Sequence, residues 1–393
     1  MHAALLIACF IVAEPPQVGA RVVSGPEADS NARREISGQV PQPDLLWRSQ
    51  ARVELSRRER NQRVGVEGQW GHKVFATQRS EDVQALEARA RWDARPLDGL
   101  GLFAETGGRD RRQRSGARSY TTWTGDLGAS LGPWGPLPVS VSFGAGPRAF
   151  AFWPYPQGQA CKGDRFCPAP LAELTRSDLR LPDDSLARFS NAGAGGFAAL
   201  LVQLSGAEVL SLTAAADGRY FPLGWSATKI VDGARVFDER GPPSGARGIL
   251  DQLRRPTRRA DGTLHGELTL ESVRVLYLRA AARVTGNTSL SRGESYLRGR
   301  LALTAGGLLP GGARVLVEGQ LQATRWPEGL GLGERLALQE GDESQTSLAG
   351  QLSVPLRGGV WVEARTAAYT AEFAAGRTPF LRLVAFAGLG WRW

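Results

Sequence analysis

The sequence is poor in several things at once, and each shortage removes a class of protein. Beyond the N-terminal stretch, no apolar run approaches the roughly 18 to 20 residues that a membrane-spanning helix needs. Mean hydropathy is -0.24, too polar for a helical membrane protein. Methionine occurs once, against Gly 49 and Pro 23, a balance that suits many short strands and turns better than helices. Cysteine and histidine each number 3. Cys161 and Cys167, in CKGDRFC, do not match the usual zinc-finger spacing and have no His nearby, so neither a metal site nor a cofactor is read from the chain.

Catalytic apparatus is equally thin. His72, in QWGHKVFA, is a candidate base, but no Gly-x-Ser-x-Gly elbow accompanies it. His265, in TLHGE beside Glu267, reads as a rim or loop residue. No nucleophile, base and oxyanion donor assemble, and the chain is read as a non-enzyme. The formal charge of +9 and pI near 10 would suit phosphate neutralisation in a nucleic-acid binder. The arginines are scattered along strands, however, and helix-turn-helix, zinc-finger and aromatic RNA-binding signatures are all missing, so nucleic acid is not an expected partner.

What is present begins with MHAALLIACFIVAEPPQ, whose apolar core followed by a small residue reads as a secretory signal over 1–13. Cys9 leaves with it. In an oxidising compartment Cys161 and Cys167 are then expected to form a disulfide. Residues 14–44 read as a polar periplasmic linker, with SGPEADSN and PQPD in it and no sustained period.

From Leu45 onward the chain alternates. In VQALEARARWDA, Leu86, Ala88, Ala90, Trp92 and Ala94 share one face, and Glu87, Arg89, Arg91 and Asp93 the other. That is period two, the mark of a strand. The pattern recurs with Arg298 and Arg300 opposite Leu297, Leu301 and Leu303, and with Arg314 and Glu318 opposite Val315, Val317 and Leu321. It returns in FLRLVAFAGLGWRW, with Leu389, Trp391 and Trp393 on the apolar side. Glu363 and Arg365, two residues apart, form the same kind of same-face pair. A soluble sandwich also alternates, so strand length and composition decide. The segments run to about the 9 to 11 residues that cross a bilayer at a tilt, and tryptophans sit toward strand ends as interfacial girdles. The apolar faces are Ala, Gly, Leu and Val, suited to lipid. The polar faces carry too many charges to be dry.

The terminal strand, with Trp393, Trp391, Leu389, Ala387 and Ala385, resembles the C-terminal recognition strand of Gram-negative outer-membrane β-barrel proteins. The resemblance is to the class and covers Leu45 to Trp393. It implies residence in the outer membrane, contact with its lipid and lipopolysaccharide, and recognition of Leu389, Trp391 and Trp393 by the barrel-assembly machinery.

RPLDGLG, LGPWGPLPV, GGLLPGGA and PLRGGV are short Pro/Gly hairpin connections, expected on the periplasmic side, whereas GGRDRRQRSGARS and RWPEGLGLGERLALQEGDES are expected outside. Direct segmentation gives fourteen strands, from 45–56 to 380–393 and including a single strand at 266–284. Parity then asks for one more strand between 220 and 294, with WSATKIVDGARVF as its candidate, and either one more near the N-terminus or a different division of 45–76. The expected fold is a closed antiparallel transmembrane barrel of about sixteen strands, with fourteen and eighteen as alternatives. Residues 152–191 read as a long extracellular loop or one that dips into the lumen, and 238–264 as a second long segment carrying Arg254, Arg255, Arg258 and Arg259 as a solvated face, a plug or an anion-binding rim.

Glu87, Arg89, Arg91, Arg298, Arg300, Arg314, Glu318, Glu363 and Arg365 are expected to line a lumen. The leading function is a porin-like conduit for hydrophilic or anionic solutes, or an exit channel for an acidic polysaccharide working with a periplasmic export partner. The competing reading is a structural or adhesion barrel plugged by its own loops.

Overall fold

The computed structural model describes residues 16–31, 40–114, 119–134, 138–152, 190–225, 227–231, 234–237, 258–292, 295–325, 327, 346–373 and 377–393. The strands in order are β1 (Gln17–Asp29), β2 (Asp44–Glu59), β3 (Gln62–Phe75), β4 (Val83–Leu97), β5 (Leu100–Gln113), β6 (Tyr120–Trp134), β7 (Val139–Phe152), β8 (Asn191–Ser205) and β9 (Glu208–Trp225). There follow β10 (Ala227–Val231), β11 (Ala234–Phe237), β12 (Arg258–Val273), β13 (Leu276–Ser289), β14 (Tyr296–Leu308), β15 (Arg314–Arg325), β16 (Thr346–Pro355), β17 (Val360–Phe373) and β18 (Arg377–Arg392). All except β10 and β11 form one closed antiparallel barrel in which β1 pairs with both β2 and β18, giving sixteen strands.

Pairing preserves the alternation of the sequence. Between β14 and β15, Leu301 opposes Leu321 and Leu303 opposes Gly319, while Arg300 opposes Gln322 and Thr304 opposes Glu318. Directly opposed residues point the same way. Every pair therefore extends one apolar face and one polar face around the cylinder. Tight connections gather at one rim. There the β14–β15 turn places Gly311 and Gly312 at φ 81° and 78°, a left-handed conformation that glycine adopts without steric cost. Longer connections leave the opposite rim.

Three expectations are corrected. Residues 17–29 are the first barrel strand and not part of a linker. Their alternation is masked by Gly25 and Pro26, and proline normally demotes a run because it has no N–H to give the ladder. The barrel tolerates it because the β1–β18 register runs through Ser24↔Leu389 and resumes at Glu27↔Phe386. A side chain at position 25 would place its Cβ 2.1 Å from the Ala387 carbonyl oxygen, so only glycine fits there.

The second correction concerns 266–284, read as one strand. It is the end of β12 and the start of β13, joined through Arg274 and Val275. That turn holds no Gly, Pro or Asn and gives no compositional signal. It is tied instead by the Val273 N–H donating to the Ala207 carbonyl at 2.8 Å and by Arg274 pairing with Glu208. The third is WSATKIVDGARVF, whose described part after Trp225, the last residue of β9, is the separate hairpin β10–β11 rather than a barrel strand.

Two expected outer connections are also shorter than the sequence suggested. β5 continues through GGRDRRQ to Gln113. β12 begins at Arg258, within the segment read as the second long loop.

Candidate functional site: the charged inner wall

The large apolar side chains on one face stand open to the surroundings, among them Trp47, Leu86, Trp123, Leu127, Leu212, Leu301, Leu321, Leu348, Leu383 and Leu389. The charged face is the concave one, because its side chains meet across strands that are not hydrogen-bonded neighbours. Arg21 on β1 reaches Glu363 on β17 over β18, and Lys73 on β3 reaches Glu27 on β1 over β2. Arg148 on β7 meets Asp217 on β9 at 3.6 Å. Arg365 on β17 donates to Gln50 Oε1 on β2 at 3.3 Å, spanning two strands. Only inward-pointing side chains converge in this way. Sixteen strands enclose a lumen wide enough for water, the inner face is ionic and the outer face is an apolar belt. The chain is a β-barrel built to span a membrane.

Each residue proposed for the lumen lies on the charged face. Glu87 opposes Gln69 and Arg109. Arg89 pairs with Glu105 at 2.6 Å, and Arg91 pairs with Asp93 at 2.8 Å and with the same Glu105 at 3.1 Å. Arg300 opposes Arg283, and Arg298 donates to Thr324 at 3.1 Å. Arg314 opposes Ser353, Glu318 opposes Ala349, and Glu363 pairs with Arg365. The structure thus gathers Arg89 and Arg91 around one carboxylate and joins Glu363 to Arg365, while Arg314 and Glu318 stand apart from both groups along β15.

Several charged lining residues escaped the sequence reading. Glu27 and Asp29 fall in the stretch that reads as linker from sequence and are strand residues of β1. Arg48, Lys73, Arg148 and Asp217 carried no local signal beyond their own strand, since their partners lie up to 46 and 69 positions away in the cases of Lys73–Glu27 and Arg148–Asp217. Their alternation with apolar neighbours placed them on the right face, but only closure names their partners.

The wall is uneven. Around β6 to β8 the inner face carries Gly128, Gly144, Gly146, Gly193 and Gly195, and the rings of Phe103 and Phe197 stack there at 6.0 Å. Buried apolar residues on the inner face sit mainly toward the rim of long connections, as in the opposed pair Leu46 and Phe75.

Both candidate histidines are accounted for differently than expected. His72 lies on the outer face beside Trp70, ring centroids 5.8 Å apart. His265 is mid-strand on the inner face, opposite Ala215 and Thr285, and not at a rim. The two are on opposite sides of the wall and cannot share a site. Among the described residues no cluster of three His, Cys, Asp or Glu side chains could hold a metal ion. Arg259 of the expected arginine rim is buried, pairs with Asp261 at 2.5 Å and covers the Phe221 ring at 4.2 Å. Cys161, Cys167, Arg254, Arg255 and the signal segment 1–13 lie outside the described residues. Leu389, Trp391 and Trp393 are on the outer face, and Trp393 exchanges two 3.0 Å backbone hydrogen bonds with Ala20.

No family model and no curated protein matches the sequence. Among solved structures the chain is similar to a bacterial polysaccharide outer membrane secretin, with 9% identity over 96% of this chain and 98% of that one and a TM-score of 0.41. It is similar to OpdQ of Pseudomonas aeruginosa, with 9% identity over 96% and 97% and a TM-score of 0.44. It is also similar to CdiB of Acinetobacter baumannii, with 8% identity over 96% of this chain and 60% of that one and a TM-score of 0.45.

Proposed function

We propose that this barrel is an outer-membrane channel whose basic inner wall passes hydrophilic, preferentially anionic solutes. The observation that carries the reading is the way charge is layered on that wall. Glu27 and Glu363 have no exposed side-chain surface, while their partners Arg21, Arg48, Lys73 and Arg365 keep between 21% and 45% of theirs. On this part of the wall, water in the lumen therefore meets mainly cations. A charged wall of this kind selects by electrostatics and diameter without a dedicated carrier site.

The test is ion conduction by the purified full chain in planar bilayers under a salt gradient. A stable conductance with a reversal potential on the anion side is expected. Absence of any conductance by folded protein would instead support the plugged structural barrel. Passage of short acidic oligosaccharides, scored by current block from each side, separates a small-solute porin from a polymer exit.

A further inference from the structure

We propose that the inner wall where the barrel closes is a discrete binding site for a compact oxyanion carrying two or more charges, held by Arg21, Arg48, Lys73 and Arg365. The proposal rests on the reading of this face as water-filled, and it names one place on it where a solute would pause.

The site is built from rows of opposed residues. Glu363 opposes Gly388, Gly25 opposes Arg48, and Arg48 opposes Lys73. Between the acid on β17 and the cations on β2 and β3, the wall thus carries two glycines and no side chain. Backbones are close there: a Cβ on Gly25 would sit 2.5 Å from the Gly388 Cα. The Phe386 ring folds over this floor, and a Cβ on Gly388 would fall 2.5 Å from its tip. The Arg48 and Arg365 guanidiniums lie 5.8 and 5.7 Å from the centroid of that same ring. Arg21 approaches from β1, where it also lies 4.9 Å from the Trp361 ring. The result is a covered apolar floor, with Phe386 only 4% exposed, and a cationic edge above it.

Two buried carboxylates hold the edge in place. Glu27 receives Arg48 Nη1 at 2.9 Å and Lys73 Nζ at 2.6 Å. Glu363 receives Arg21 Nη2 at 2.9 Å, the Arg365 guanidinium, and the Trp361 indole N–H at 3.1 Å. Four cations share two carboxylates, leaving a surplus of positive charge. The carboxylates lie beneath, so the surplus faces the lumen. The Asp29–Arg382 pair, at 2.5 Å, borders the site and cancels within itself. Arginine and lysine are donors only. A cluster of them already oriented by buried acids offers its remaining N–H groups to an acceptor of opposite charge, which is the chemistry of phosphate and carboxylate recognition. A purely structural network would gain nothing from this excess of like charge, since cations crowded without matching acids repel.

Calorimetric titration of the folded full chain in detergent, at low ionic strength and a pH where phosphate is dianionic, tests the site independently of conduction. Inorganic phosphate is the first probe. Citrate, in a second arm, distinguishes a phosphate from a carboxylate solute. One site per barrel is expected, with affinity falling about tenfold or more in K73Q/R365Q and less than about twofold in R298Q/R300Q. Charge-preserving K73R/R365K is expected to retain binding. If K73Q/R365Q fails to fold, as judged by heat-dependent gel mobility, R21Q is the second variant, with an expected loss of about threefold. No binding of either probe by the parent, or equal losses in the seam and Arg298/Arg300 variants, overturns the proposal. Anion-selective conductance without binding sinks the site alone. Binding without conductance sinks the channel reading and leaves the site.

Discussion

Arg21 Nη2 lies 2.9 Å from Glu363 Oε2, joining the first strand of the barrel to the second-last across the strand between them. The two residues are 342 positions apart. The contact passes over β18, whose inner face offers only Gly388 and Gly390 at this point. It therefore acts as a clasp on the β1–β18 junction, where the hydrogen-bond ladder is interrupted at Gly25 and Pro26.

Removing the clasp should loosen closure. Glu363→Ala strips the acid from Arg21, Arg365 and the Trp361 indole, leaving cations crowded on a covered wall. Breaking a buried pair costs about 3 to 5 kcal/mol when both partners are buried. Because Arg21 is 45% exposed, screening reduces this to about 2 kcal/mol. Urea midpoints of the refolded barrel check it. Arg21→Ala is expected to cost less than half as much, and equal effects would show that the acid is not the centre of the network.

Opposite faces should respond oppositely to charge. Arg298→Glu, Arg300→Glu and Arg314→Glu are expected to leave insertion largely intact and move the reversal potential toward cations. Leu301→Arg or Val317→Arg, whose native side chains are 56% and 45% exposed on the outer face, should cost about 2 to 4 kcal/mol near the bilayer midplane and impair insertion. Similar behaviour of the two sets would invert the assigned faces.

Glycines where the strands crowd should be less replaceable than glycines facing open space. A Cβ on Gly193 would lie 1.9 Å from the Gly218 carbonyl oxygen, whereas Gly299 has nothing within 4 Å. Gly193→Ala is expected to lower stability by about 1 to 3 kcal/mol through forced backbone displacement. Gly299→Ala should be neutral within about 0.5 kcal/mol. Thermal gel-shift curves would rank them.

Trp393 is proposed to serve assembly as well as anchoring. The residue is 70% exposed and on the outer face, where an indole gains from the membrane interface, and its backbone bonds to Ala20 survive any side-chain change. Trp393→Ser should therefore refold in detergent almost like the parent, yet reach the outer membrane of cells at much lower levels, with Trp393→Phe restoring them. Equal cellular insertion of the Ser variant and the parent would leave anchoring as the only role.

Much of the architecture was legible because period-two alternation and glycine-rich turns are local properties. RPLDGLG, GGLLPGGA and PLRGGV each end one strand and begin the next, as at Gly358 and Gly359, whose positive φ values of 68° and 76° favour glycine. Legibility failed where the local chemistry was atypical. The Arg274–Val275 turn has no turn former, so β12 and β13 read as one strand. β1 reads as linker because Gly25, Pro26, Glu27 and Asp29 interrupt an apolar run, and their roles exist only beside β18 and β3.

By itself, the sequence determined which side chains share a face, since alternation follows from the geometry of one extended strand. It also determined that one face suits lipid and the other water. Tertiary structure alone decided which charges meet. Closing the barrel brings β17, β18, β1, β2 and β3 side by side, and a register set by the whole hydrogen-bond ladder places Glu363 under Arg21 and Glu27 under Lys73. Curvature then lets inward side chains on non-neighbouring strands touch, and no local pattern encodes curvature.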